Sequence, residues 1–266
     1  MKTIYLKELK LTRKTLVIWL LLIVMLTGFA AIEFIVLKNA MGEIAALAES
    51  FPKIILILFG LNGVRIDTPL GAYQCMVFWI NLLAFFYAGF SGVFAVSREE
   101  RFGTIEFLFS KPYKRSTIVW AKIGAAVTNL IVFSLTVGIT SYLCIVLPLG
   151  DLRITGVHII TTLGILLTQM VLFSIGILIS GLVKSYKTAS LLTMLTVAAF
   201  YVISFALDYN GTLDFLKVLT PVSYFNVVSV SVNGLSPFYL LLSLIMILAG
   251  CFMAIKFFER KDLRTS

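Results

Sequence analysis

Apolar positions along this chain gather into six long runs separated by short polar stretches. A hydrocarbon core about 30 Å thick takes around 20 apolar residues of helix at 1.5 Å per residue. Six segments reach that length, at about 16–37, 73–96, 118–147, 157–183, 188–207 and 237–258. A seventh run, Pro52 to Leu61, is half a span. Pro52 starts it and the Gly60-Leu61-Asn62-Gly63 turn stops it, which predicts an interfacial or re-entrant helix. The connecting segments 38–72 and 208–236 are only mildly polar and are expected to dip into the interface as short helices that cap the bundle. No repeat, linker or low-complexity tract divides the chain, so residues 1–266 read as one all-α polytopic membrane domain.

Two charged stretches break this pattern. Drawn as a helix, residues 1–15 place Met1, Ile4, Tyr5, Leu9 and Leu11 on one side. Lys2, Lys7, Lys10, Arg13 and Lys14 lie on the other, while Leu6 and Glu8 fall on the wrong sides. Such a helix is expected to lie in the inner headgroup plane with its basic face toward anionic lipid or a cytosolic partner. The second stretch, Ser97 to Ile123, keeps Phe102, Ile105, Phe107, Leu108 and Phe109 among its charges. Gly103 suits a left-handed helix terminus, Thr104 can cap a new helix over 105–111, Glu106 complements its dipole, and Pro112 ends it. Ile105, Leu108 and Phe109 share a face at i, i+3, i+4 spacing. A helix of two turns does not stand alone in water, so this one must dock on its own bundle or on another protein.

Composition supports the membrane reading: 60% of residues are hydrophobic and 13% charged, too few charges for an aqueous surface. The net charge of +9 would suggest an acidic partner in a soluble protein. With both termini inside, however, the inner segments hold 17 Lys and Arg against six acidic residues and the outer segments five against seven. The imbalance is the positive-inside rule and no nucleic-acid footprint. Residues 1–30 also resemble a signal peptide ending at Gly28-Phe29-Ala30, but the apolar stretch continues to Leu37 and reads as a first span.

Candidate chemistry is sparse. No GxxxxGK[ST] phosphate loop is present, and a single histidine, His158, is expected as an interfacial residue near the outer end of the fourth span. Cys75, Cys144 and Cys251 sit singly in apolar runs as packing residues. Nothing in the sequence supports an enzyme active site or a metal site. Glu33 is the lone carboxylate within a predicted span, either reaching the interface from near the span's end or lining a path. Asn81, Asn129 and Gln169 are polar residues within spans, either hydrogen-bonding between helices or lining a path. Ala88-xxx-Gly92 and Gly176-xxx-Ser180 permit close helix approach.

Glu99-Glu100-Arg101-Phe102-Gly103-Thr104-Ile105-Glu106-Phe107-Leu108-Phe109-Ser110-Lys111-Pro112, followed by Arg115 and Lys122, resembles the EE-x-x-GT-x-E-x-LL-x-x-P-x-x-R…K signature of ABC-2 type transporter permeases. Phe107 and Phe109 stand where that family often has leucines. The basic amphipathic start, the six spans, LTPVSYF at 219–225 and FFERKDL at 257–263 fit the same layout. The resemblance implies a membrane subunit of an ATP-driven exporter in a bacterial or archaeal cytoplasmic membrane, with both termini cytosolic. Residues 1–15 would form an elbow helix, and 105–111 a coupling helix held by a separate ATPase subunit. Two ATPases, binding ATP and Mg, would pair with two permeases, identical or paralogous. Phe102, Ile105, Leu108 and Phe109 would dock, Glu99, Glu100 and Arg115 would form a polar rim, and Gly103, Thr104 and Pro112 would shape the loop. A secondary transporter or channel, and a membrane assembly factor that transports nothing, are the other readings. The first would need ionisable groups at mid-membrane depth.

Overall fold

The computed structural model describes residues 2–102, 115–183, 185–211 and 214–260, and every element among them is helical. Six helices are long and apolar enough to cross a membrane. They are α1 (Lys2–Leu37), α4 (Pro69–Phe102), α5 (Arg115–Ser141, continued to Leu149), α6 (Leu152–Leu182), α7 (Tyr186–Asn210) and α9 (Pro237–Arg260). Between them lie three shorter helices, α2 (Met41–Glu49), α3 (Lys53–Leu58) and α8 (Val227–Asn233). Short 3-10 turns cover Lys38–Ala40, Asp214–Leu219 and Pro221–Ser223. The chain is therefore a multi-pass membrane protein, with a helix over each expected span; α1 begins fourteen residues before its apolar run, and the others end within about six residues of theirs.

Helix α1 departs from expectation. Residues 1–15 are expected to form an elbow helix, but the described helix runs unbroken from Lys2 to Leu37. No proline interrupts it and the first glycine is Gly28, so nothing stops propagation once the helix has nucleated. At 36 residues it is roughly 54 Å long, well beyond the hydrocarbon thickness. Its inward stripe also differs from the drawn one. Glu8 is buried and Ile4, Tyr5 and Thr12 half-buried, whereas Leu6 and Leu11 are exposed. Tyr5 Oη pairs with Thr128 Oγ1 at 2.8 Å, and Asn129 Nδ2 donates to Thr12 Oγ1 at 2.7 Å. The basic start thus packs along α5.

The most enclosed helices are α4 and α6, and α1, α7 and α9 surround them with broad exposed apolar faces. Leu21, Phe29, Val202 and Leu248 are each more than half exposed, a surface suited to lipid. Small residues let α4 and α6 touch. A Cβ on Gly92 would lie 2.3 Å from the Phe173 carbonyl oxygen, and one on Gly176 would lie 2.5 Å from that of Gly89. The expected close approach is therefore backbone to backbone. Near the end of α5 the helix widens into a π turn over Tyr142–Val146. Pro148 follows, and it has no N–H for the carbonyl four residues back and a ring that crowds it. Gly150, at φ +68°, then reverses the chain, and Asp151 caps α6 by accepting from the Arg153 amide at 2.8 Å.

The half-span is the six-residue helix α3, which follows Pro52. Gly60 and Gly63, at φ +70° and +74°, end it as expected. Lys53 Nζ donates to the Tyr209 carbonyl at 2.6 Å, which ties α3 to the end of α7. Asp208 and Lys217 pair at 3.0 Å, and Ser223 donates to Ser204 at 2.8 Å. These bonds fold the 208–236 segment back over the bundle.

Candidate functional site

At the end of the bundle where α4 leaves for the 103–114 segment and α5 returns, four charged side chains close a ring. Arg98 Nη2 lies 3.0 Å from Glu8 Oε2 and 3.0 Å from Glu99 Oε1. Lys122 Nζ lies 2.6 Å from Glu99 Oε1 and 3.4 Å from Glu8 Oε1. The charges alternate around the ring and sum to zero. All four residues are buried, with Glu8 4% exposed, Arg98 7%, Glu99 6% and Lys122 2%. Each comes from sequence the helices bring together: Glu8 from the overhanging start of α1, Arg98 and Glu99 from the last turns of α4, Lys122 from the second turn of α5.

Burying four charges away from water costs several kcal/mol per ion unless each faces an opposite charge at hydrogen-bond distance. The ring meets that condition on four edges. It leaves Arg98 Nη1 and Glu99 Oε2 without partners among the described residues. Such an arrangement tolerates little relative movement, because parting any one helix strands a charge of each sign or unbalances the rest. It therefore fixes α1, α4 and α5 to one another at the two roots of the 103–114 segment. Outside the ring, Arg101 lies 5.3 Å from the Tyr186 ring centroid and 3.4 Å from its hydroxyl, which links α4 to the start of α7. Ser97 and Ser180 join α4 to α6 through their hydroxyls.

Of the residues expected to face an ATPase, Gly103, Thr104, Ile105, Glu106, Leu108, Phe109 and Pro112 lie outside the described residues. Glu100 and Phe102 close α4, and Arg115 opens α5. Glu99, expected at a solvated polar rim, is instead turned into the protein, because Arg98 and Lys122 offer it two cations that water would otherwise have to replace. The basic residues Lys2, Lys7, Lys10, Arg13 and Lys14 are all exposed. Glu8, which broke the amphipathic pattern, is the residue that anchors this face. Glu99 opens and Lys122 closes the signature quoted above; Glu8 and Arg98 lie outside it.

The polar residues within spans separate into two kinds. Gln169 is fully buried, accepts from Ser134 and donates to the Ala84 carbonyl at 3.3 Å, joining α4, α5 and α6. Asn129 ties α5 to α1. Asn81, although buried, has no partner for Oδ1 among the described residues and lines a cavity of about 580 Å³. Glu33 is exposed on α1. His158 is enclosed by protein. It is 5% exposed, its Nδ1 lies 3.0 Å from the Tyr73 hydroxyl, and its Nε2 lies 3.0 Å from the Gly138 carbonyl. A carbonyl only accepts, so Nε2 carries the proton and Nδ1 receives the tyrosine's. The π turn at Tyr142–Val146 lies against this histidine, with the Tyr142 ring centroid 6.0 Å from its own. No group of three or more His, Cys, Asp or Glu among the described residues could hold a metal ion.

Compared with known sequences, residues 2–263 match the family model described as ABC-2 family transporter protein. No curated protein matches the chain.

Proposed function

The chain belongs to the ABC-2 family of transporter proteins, and from that premise we propose that it is the permease subunit of an ATP-driven exporter. A separate ATPase subunit binds ATP and Mg, two copies of it act on two permeases, and the 103–114 segment is the part they grip. In the orientation set by the Lys and Arg distribution, that segment and both termini face the cytosol. The observation that carries this reading is the buried ring of Glu8, Arg98, Glu99 and Lys122. A loop pushed by a partner does work on a bundle only if its roots do not yield, and the ring makes both roots one body with α1. Phe102, Ile105, Leu108 and Phe109 dock, Glu100 and Arg115 form the polar rim, and Glu99 serves from within. The exposed basic residues of α1 meet anionic lipid or the partner.

Producing the full chain with and without its ATPase tests the proposal. ATP hydrolysis and transport should require both proteins. Hydrolysis by the purified chain alone would refute the reading. A secondary transporter finds less support, because the buried charges described here are neutralised in the ring and Glu33 is exposed.

A further inference from the structure

At the opposite end of the bundle from the ring, a cavity of about 580 Å³ opens between α4, α7, the turn after α3 and the 222–233 segment. We infer that it is a binding site for an uncharged amphipathic molecule with an aromatic or aliphatic body and at least one hydrogen-bond donor. Its size falls within the roughly 300–1,000 Å³ typical of small-molecule pockets. It is not a surface dimple: Asn81, twelve residues from the Pro69 end of α4, lies about 18 Å down that helix, and Phe85 lies a further turn inward.

Three features define the ligand. First, the lining is mixed: aromatic rings of Phe78, Phe85, Tyr201 and Phe205 face polar side chains such as Asn226 and Ser229, which suits an amphipathic body. Second, two wall residues hold polar groups that the protein does not satisfy. Asn81 and Tyr201 are each only 8% exposed, and neither Asn81 Oδ1 nor the Tyr201 hydroxyl has a partner among the described residues. An unpartnered buried polar atom costs about 1–3 kcal/mol, and two on one cavity wall point to a ligand that satisfies them. The last torsion of an amide is soft, so Asn81 can swing its oxygen to a donor. Third, the charged residues among the described lining, Asp208 and Lys217, pair with each other at 3.0 Å, which favours an uncharged ligand. The 222–233 segment is tied to α4 by Gln74 Nε2, which donates to Ser231 Oγ at 2.7 Å. The inference stands on the cavity's own chemistry, and its failure would leave the coupling reading untouched.

N-Phenyl-1-naphthylamine, uncharged with two aromatic units and one N–H, is a suitable probe. Trp79 stands beside the cavity wall, 5.5 Å from the Phe78 ring, and can serve as the energy donor. The full-length chain in lipid nanodiscs should show saturable transfer to the probe beyond that of empty nanodiscs, and Trp79→Phe should reduce it. Asn81→Leu should weaken binding about tenfold, the loss of one buried hydrogen bond, without lowering the melting temperature of the unliganded protein. Ser229→Trp, placed at an exposed lining position, should fill the cavity and abolish the saturable component. Transfer no greater than in empty nanodiscs would overturn the inference. So would saturable transfer of equal affinity in N81L and S229W, which would assign the probe to lipid-facing grooves.

Discussion

Replacing Lys122 by methionine probes the ring most directly. Methionine keeps most of the aliphatic volume of lysine and removes only the cation. Glu99 then loses a partner at 2.6 Å and Glu8 one at 3.4 Å, leaving two carboxylates to share Arg98. At an effective dielectric near 20 the two lost attractions are of order 5–6 kcal/mol each. Relief from desolvating the ammonium offsets most of that, so the net cost should be about 3–5 kcal/mol, the range for breaking a buried pair. Each kcal/mol moves the melting temperature by about 2–4 °C at this chain length, so K122M should melt on the order of 10 °C lower in nanodiscs. Adding Glu99→Gln restores neutrality, because Glu8 and Arg98 remain paired at 3.0 Å. The double variant should recover at least half of the loss. In the complex, K122M should hydrolyse ATP while transporting less cargo, since the loop roots no longer move as one. A melting temperature within a degree or so of the parent, or a double variant no better than K122M, would refute the claim that the ring locks the three helices.

Three further outcomes are expected. Ile105→Asp with Leu108→Asp should abolish co-purification with the ATPase while membrane insertion persists; unchanged co-purification would count against docking through that face. Gly92→Val should prevent folding or lower the melting temperature sharply, because its first side-chain carbon would meet the Phe173 carbonyl at 2.3 Å. Gly156→Ala, with open space around it, should be close to neutral. With Cys75, Cys144 and Cys251 replaced by alanine, an impermeant thiol reagent should label Val232→Cys, 78% exposed, in intact cells, and Lys7→Cys only after permeabilisation. The reverse pattern would invert the orientation.

The spans could be read from the sequence because twenty apolar residues in a row have few other uses, and glycine and proline marked the half-span α3. What stayed hidden depended on partners distant in the chain. Glu8 looked like a defect in an amphipathic pattern because its cations are 90 and more residues away. The enclosure of His158 was hidden because periodicity does not show that Tyr73 and Gly138 bond its ring. The elbow failed for the opposite reason: local patterning marked a change of surface at residue 15, but no helix-breaking residue turned that change into a bend. Asn81 and Gln169 carry similar amides within spans. Only the packing of Ser134 beside one, and the open cavity beside the other, separates a structural bond from an unsatisfied group.

The unbroken course of α1 makes that helix a lever. Its fulcrum is Glu8, held near one end, and from there to Leu37 the arm is 29 residues, or roughly 44 Å. A tilt of about 5° at the ring carries the far end about 4 Å if the rod stays straight, whereas a helix hinged at residue 15 would dissipate the same torque at its joint. Whatever tilt the ring permits is thus magnified along α1 toward the other side of the membrane.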